Sequence, residues 1–490
     1  MNAPLRRVAV ACLLLFGLLL VNVNYLQVVR ASSLRDDPRN SRTLLSQFQR
    51  ERGPILLGTG GGGASPLAVD KPTPQERFKF LRTYPGGPTY GEVTGFSSYI
   101  YGRSGVEQSE NSVLSGQDDR LFVHRLSDYI TGRKQEGGRI VLTLNQAAQQ
   151  AAYAGLQGKR GAAVALDPRT GAVLAMVSTP SYDPAKLSSH DATQIRSYWK
   201  ALQADPAQPL LNRAIQQTYP PGSTFKVITS AAALSSGKFT PDSTIPAPNE
   251  LKLPQTSSTI RNFGGETCGD GKVDTLADSL RISCNTAFAQ LGLDLGQDTL
   301  RSQAEKFGFG QGELALPTTV ARSVFPGSLN PPQLAQSSIG QFDVQVTPLQ
   351  MAMVAAGVAN GGDVMKPYLV REVQAPDLSV LDRARPSVYR HAVDRPVADQ
   401  LNAMMQLVVA SGTGTGAQIP GVPVAGKTGT AQHAVGQAPH AWFIGFAPAN
   451  DPQVAVAVLV EDGGTAGPEA TGGAVAAPIA RDVMRAVLGR

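Results

Sequence analysis

Cysteine is scarce in this 490-residue chain. Only Cys12, Cys268 and Cys284 occur, which excludes a disulfide framework and any four-cysteine zinc site. Histidine is almost as rare. His124, His190, His391, His433 and His440 are scattered apart from the last two, and there is no His-Glu-x-x-His, so no metal and no other cofactor is expected. The formal net charge of +6 comes from dispersed lysines and arginines rather than a basic run. No nucleic-acid-binding module is recognisable, so nucleic acid is not an expected partner. Internal repeats are also lacking. Hydrophobic content of 42% with 17% charged residues describes a globular chain, long enough for two or three folded units.

Long apolar runs are lacking too, with one exception. After MNAPLRR comes VAVACLLLFGLLLV, then NVNYLQVV before the next charge at Arg30. The purely apolar part is short enough for a signal peptide, but no small-x-small cleavage site follows. The interval from Arg7 to Arg30 suffices to cross a bilayer core of about 30 Å. With Arg6 and Arg7 held inside, residues from about 31 onward are expected outside the cell membrane, tethered by a single pass over residues 1–30.

Residues 31–145 carry few long apolar periodicities and many Gly, Ser, Tyr and Arg residues, including GTGGGGAS at 58–65, and read as a smaller β-rich module. Residues 146–490 change character. AAVALDPRTGAVLAMVSTP gives two strands around a glycine-containing hairpin turn. VPVAGKTGTAQ, HAWFIGFAPA and QVAVAVLVED give three more. The last is apolar on both faces, hence central and covered by helices. TPLQMAMVAAGVANGG reads as a helix with Thr347 as cap, Pro348 in the first turn and Gln350 completing a capping box. A further helix is expected around AAPIARDVMRAVLG. The fold class is therefore α+β, an antiparallel sheet with helices on both faces, interrupted by a mostly helical subdomain.

Ser-x-x-Lys occurs three times, as Ser197-Tyr-Trp-Lys200, Ser223-Thr-Phe-Lys226 and Ser235-Ser-Gly-Lys238. The first lies in a polar helical segment and the last where a helix should end at Gly237. Ser223 follows Pro220-Pro221-Gly222 and opens a strong helix, where free N–H groups favour developing negative charge. Lys226 shares its face and can reach its hydroxyl. Two motifs follow. Ser283-Cys284-Asn285 is preferred over Ser109-Glu-Asn111, in the N-terminal module, and Ser328-Leu-Asn330, beside a double proline. Lys427-Thr428-Gly429 ends an apolar strand, and a glycine there lets a substrate backbone approach closely.

In this order the three motifs resemble the active-site set of penicillin-binding proteins and serine β-lactamases. QRERGPI and YGRSGVEQSENSVLSG resemble the opening motif and pedestal of class B penicillin-binding proteins. SIGQFDVQVTPLQMA and HAWFIGFAP resemble their transpeptidase domain. The resemblance covers nearly the whole chain, and no separate glycosyltransferase domain fits in the N-terminal hundred residues. It implies D,D-transpeptidase chemistry on peptidoglycan stem peptides through a serine acyl-enzyme, and acylation of the same serine by β-lactam antibiotics. Other cell-wall synthesis or division proteins are implied as partners.

Residue by residue, the resemblance implies Ser223 as nucleophile, Lys226 as its base and Ser283 as proton relay. It implies that Asn285 holds the substrate amide, that Lys427, Thr428 and Thr430 meet the terminal carboxylate beside Gly429, and that the N–H groups of Ser223 and Thr430 form the oxyanion hole. Two rivals remain. A non-catalytic scaffold conflicts with the intact motif set. A β-lactamase commonly carries Glu-x-x-Leu-Asn, whose nearest match here is Glu313-Leu-Ala-Leu-Pro317. Cys268 and Cys284, the two cysteines outside the membrane segment, either form a disulfide or remain a loop thiol and a small buried residue.

Overall fold

The computed structural model describes residues 2–35, 48–58, 65–75, 77–132, 134–310, 312, 314–432 and 436–490. Most of the glycine-rich stretch at 58–65 lies outside the described residues, as do Glu313 and His433. The N-terminal apolar segment is helical over Asn2–Asn24 and continues through Tyr25–Val29. Among the described residues it is the one helix long and apolar enough to cross a membrane.

A five-stranded antiparallel sheet organises the C-terminal part, in the order Ala425–Ala431, His440–Ala447, Val454–Val460, Gly161–Leu166, Val173–Thr179. Val454–Val460 is central and buried throughout, as its two-sided apolar pattern requires. Val454, Val456, Val458 and Val460 share a core with residues of the helices Gln146–Gly155 and Ala477–Val487. Ala455, Ala457 and Leu459 face the opposite core, which includes the helix Pro348–Ala359. Two helix layers thus sandwich a rigid sheet, whose edge strand Ala425–Ala431 borders the cleft described below. Thr347 caps Pro348–Ala359 through the Gln350 N–H. The capping box, however, is not completed, because the Thr347 N–H donates instead to Ser323 Oγ at 3.1 Å, while Gln350 Nε2 donates to the Phe307 carbonyl at 2.8 Å.

The N-terminal module contains more helix than its sequence suggests, including Phe122–Thr131. Most of its strands belong to a six-stranded sheet that also recruits Val370–Gln374 and Val380–Arg383 from far downstream, while Ser97–Ser98 and Gly102–Arg103 pair separately. Val370–Gln374 pairs antiparallel with Arg139–Leu142. The two parts are therefore joined by a continuous hydrogen-bonded ladder.

Beneath that sheet lies a buried ion cluster. The Glu107 carboxylate accepts from Arg52 Nε at 2.5 Å, Arg82 Nε at 2.6 Å and the Tyr84 hydroxyl at 3.2 Å. Arg82 also pairs with Asp70 at 3.2 Å, and Arg52 Nη1 donates to Asn111 at 2.8 Å. Burial alone would raise the Glu107 carboxyl, but Arg82 and Arg52 outweigh it and hold it down at about 2. Arg52 comes from QRERGPI, and Glu107 and Asn111 from YGRSGVEQSENSVLSG. The two stretches that carry the pedestal resemblance thus meet in one network.

Candidate active site

The cleft of about 950 Å³ beside the edge strand is lined by Ser223, Ser283, Asn285, Thr428 and Thr430 among others. Ser223 sits in a 3₁₀ turn, Gly222–Phe225, and the α-helix proper starts at Lys226 and runs to Ser235. Gly222 is left-handed at φ 53°, and its N–H donates to the Gly340 carbonyl at 2.9 Å. Trp442 Nε1 donates to the Pro220 carbonyl at 3.1 Å. The abrupt Pro-Pro-Gly turn is thereby fixed from two sides.

Lys226 and Lys427 are both fully buried. Burial, then the neighbouring Lys427 cation, pushes the Lys226 ammonium well below the ordinary lysine range. Burial pushes Lys427 down to about 7. Lys226 Nζ donates to the Ser283 carbonyl at 2.7 Å and Asn285 Oδ1 at 2.8 Å, and lies 3.4 Å from Ser283 Oγ. Lys427 Nζ donates to Ser283 Oγ at 2.9 Å and to the Thr428 carbonyl at 3.0 Å. Ser283, at φ 66°, therefore stands between two lysines.

The geometry adds detail at three of the expected site residues. Among the described residues no hydrogen bond joins Lys226 Nζ to Ser223 Oγ, because the amine turns toward Ser283 and Asn285. Asn285 likewise engages protein at both ends of its carboxamide, with Nδ2 donating to the Arg261 carbonyl at 3.2 Å. A side chain at Gly429 would meet the Pro221 carbonyl at 2.9 Å and Thr224 at 2.9 Å. The glycine is thus needed for the Ser223 turn to press against the strand. Thr428 Oγ1 lies 2.6 Å from Thr413 Oγ1, a cleft residue with no motif to announce it.

The rejected motifs have ordinary structural explanations. Ser197 lies within the helix Ala192–Ala204, and Ser235 ends its helix just before left-handed Gly237. Asn111 belongs to the ion cluster, and Asn330 caps Pro331–Ser337 in a full capping box with Gln333. The β-lactamase-like glutamate, Glu313, is outside the described residues. Cys268 and Cys284 form a disulfide with Cα atoms 6.1 Å apart, beside Ser283 and Asn285. Among the described residues no cluster of side chains suits a metal ion.

Residues 161–485 match the penicillin binding protein transpeptidase domain. The chain belongs to that family. Residues 52–140 of this penicillin-binding protein match the penicillin binding protein A dimerisation domain. Over its full length it is 47% identical to the peptidoglycan D,D-transpeptidase PbpA of Mycolicibacterium smegmatis, covering 99% of that protein. The corresponding Mycobacterium tuberculosis protein is 45% identical, again over 100% of this chain and 99% of the relative. A solved structure of penicillin-binding protein A from M. tuberculosis, a ceftriaxone acyl-enzyme complex, superposes with a TM-score of 0.86 at 44% identity. It covers 91% of this chain and all of the other.

Proposed function

We propose that this penicillin-binding protein cross-links peptidoglycan as a serine-type D,D-transpeptidase, with Ser223 as nucleophile and Lys226 as its base. The observation that carries the reading is the pair of fully buried lysines on either side of Ser283, which lines the same cleft as Ser223. A neutral amine has two N–H groups and one lone pair. The Ser283 carbonyl and Asn285 Oδ1 accept the two N–H groups, which leaves the lone pair for a hydroxyl proton. Apo-state catalytic hydrogen bonds are often long and tighten in the complex, so the absent Ser223–Lys226 bond is compatible with this role.

Ser223 Oγ would attack the carbonyl of the D-Ala-D-Ala amide while Lys226 takes its proton. The N–H groups of Ser223 and Thr430 would hold the oxyanion, each such donor typically worth about 2.7–4 kcal/mol. Ser283, held by Lys427, would relay the proton to the departing D-alanine amine. Charged Lys427, with Thr428 and Thr430, would bind the terminal carboxylate. An amine of a second stem peptide then attacks the acyl-enzyme and regenerates Ser223. A β-lactam acylates the same oxygen.

The apolar helix Ala3–Val29 would anchor the protein as a single pass, with Arg6 and Arg7 cytoplasmic and the cleft on the outer side. Residues 31–145 would form a pedestal for residues 146–490, and that module would carry contacts to other cell-wall synthesis proteins. Purified protein incubated with a stem peptide ending in D-Ala-D-Ala is expected to release D-alanine, with Ser197→Ala as active as the parent. Release that persisted in Ser223→Ala would overturn the reading.

A further inference from the structure

The helix Asn285–Leu295 opens without a cap of its own. Its capping position is occupied by Cys284, whose sulfur is committed to Cys268, and no side-chain cap bond is made there. Two N–H groups at the start of this helix would then lie next to the site with no partner. They are instead satisfied from a distant segment. The Oδ1 atom of buried Asn262 accepts from Asn285 N at 2.8 Å and from Thr286 N at 3.2 Å. Its Nδ2 donates to the Glu266 carbonyl at 3.0 Å, which fixes which end of the carboxamide faces the helix.

The preceding residue completes the hold. The Arg261 carbonyl accepts from Asn285 Nδ2, which leaves Asn285 Oδ1 directed at Lys226 Nζ, 2.8 Å away. The order of support therefore runs from Asn262 to the helix start, to the Asn285 carboxamide, and to the amine. Asn262 also lines the cleft.

We propose that Asn262 is a positioning residue for acylation: by capping the helix Asn285–Leu295 from outside, it holds Asn285 in the rotamer that orients the Lys226 amine. This rests on the reading of Lys226 as base. A carbonyl oxygen stabilises an ammonium more than an amine, so a displaced Asn285 lets Lys226 lose its proton more readily while aiming it less well. The other groups facing Lys226 are Lys427 from the edge strand, Ser283, and the Phe288 ring with its centroid 5.5 Å from Nζ. On the loop side the charged neighbours of Asn262 are Arg261, paired with Glu250, and Glu266.

The test is the rate of acylation of the full-length protein by labelled penicillin, followed from acid to neutral pH. Asn262→Ala is expected to acylate about 10- to 100-fold more slowly at neutral pH, as for a misplaced catalytic group. The acid limb of its pH profile is expected to move to lower pH. Asn262→Asp keeps the acceptor for both N–H groups, gives up the bond to the Glu266 carbonyl and adds a negative charge. It is expected to recover part of the rate lost in Asn262→Ala and to move the limb to higher pH. A cap that mattered only for folding would lower the folded fraction and leave the acid limb in place in both variants, and that result overturns the proposal. Parental rate and parental limb in Asn262→Ala overturn it as well. Should Asn262→Ala fail to fold, the direction of the limb in Asn262→Asp decides alone. Lys226→Ala run in parallel separates the two readings: if it keeps the parental rate and limb, the assignment of the base has failed, not only its positioning.

Discussion

Lys226→Ala is expected to fold as the parent does and to be acylated by penicillin about 10²–10⁴-fold more slowly, the usual contribution of a positioned general base. The direction follows from the site. Lys226 is fully buried, its charge is disfavoured by burial and by Lys427, and its N–H groups are taken up by the Ser283 carbonyl and Asn285. Its removal also takes the donor from the Ser283 carbonyl and Asn285 Oδ1, so the folded fraction is measured beside the rate. The parental rate should rise with pH as Lys226 loses its proton. It should fall again as Lys427, pushed down to about 7, loses the charge that meets the substrate carboxylate. Stopped-flow or gel measurement of labelled-penicillin incorporation checks both limbs. An unchanged rate in Lys226→Ala would remove Lys226 from the role of base.

Glu107→Ala is expected to cost the N-terminal module about 3–5 kcal/mol, because removing one partner from a buried ion network leaves the others uncompensated. Arg52 and Arg82 both point at this carboxylate, and Arg82 is nearly inaccessible. The sign of the pH dependence is fixed by the depressed carboxyl. The Glu107 contribution is fully present above the unfolded carboxylate pKa of about 4.3. It is lost as pH falls through the folded value of about 2. Urea unfolding at neutral pH should show a lower midpoint for the variant, and the difference from the parent should shrink in acid. Equal midpoints at neutral pH would mean that the cluster is not holding the module.

Much of this was legible in the chain because the relevant signals are local. The run from Val454 to Val460 is apolar on both faces, which only a central covered strand accommodates. The Pro-Pro-Gly turn before Ser223 and Gly237 after the helix Lys226–Ser235 are likewise short-range features. What escaped depends on contacts between distant segments. Asn262 lies 23 residues before Asn285, in a stretch with no periodicity to place it beside a helix start. The motif spacing suggests substrate access at Gly429, but only the folded chain shows the crowding by Pro221 and Thr224 that also requires a glycine there. Gln350 has the correct spacing for a capping box, but the distant Ser323 hydroxyl oxygen accepts the Thr347 N–H instead. Glu107 is a charged residue in a polar stretch, and nothing local shows that two arginines bury it.

The most direct test of the central claim is to locate the covalent adduct itself. After incubation with penicillin, the intact protein should gain one adduct mass, and peptide mapping should place it on Ser223. Ser223→Ala should gain none, while Ser197→Ala and Ser235→Ala label as the parent does. A stoichiometric adduct on any other residue, or one that persists in Ser223→Ala, would contradict the account.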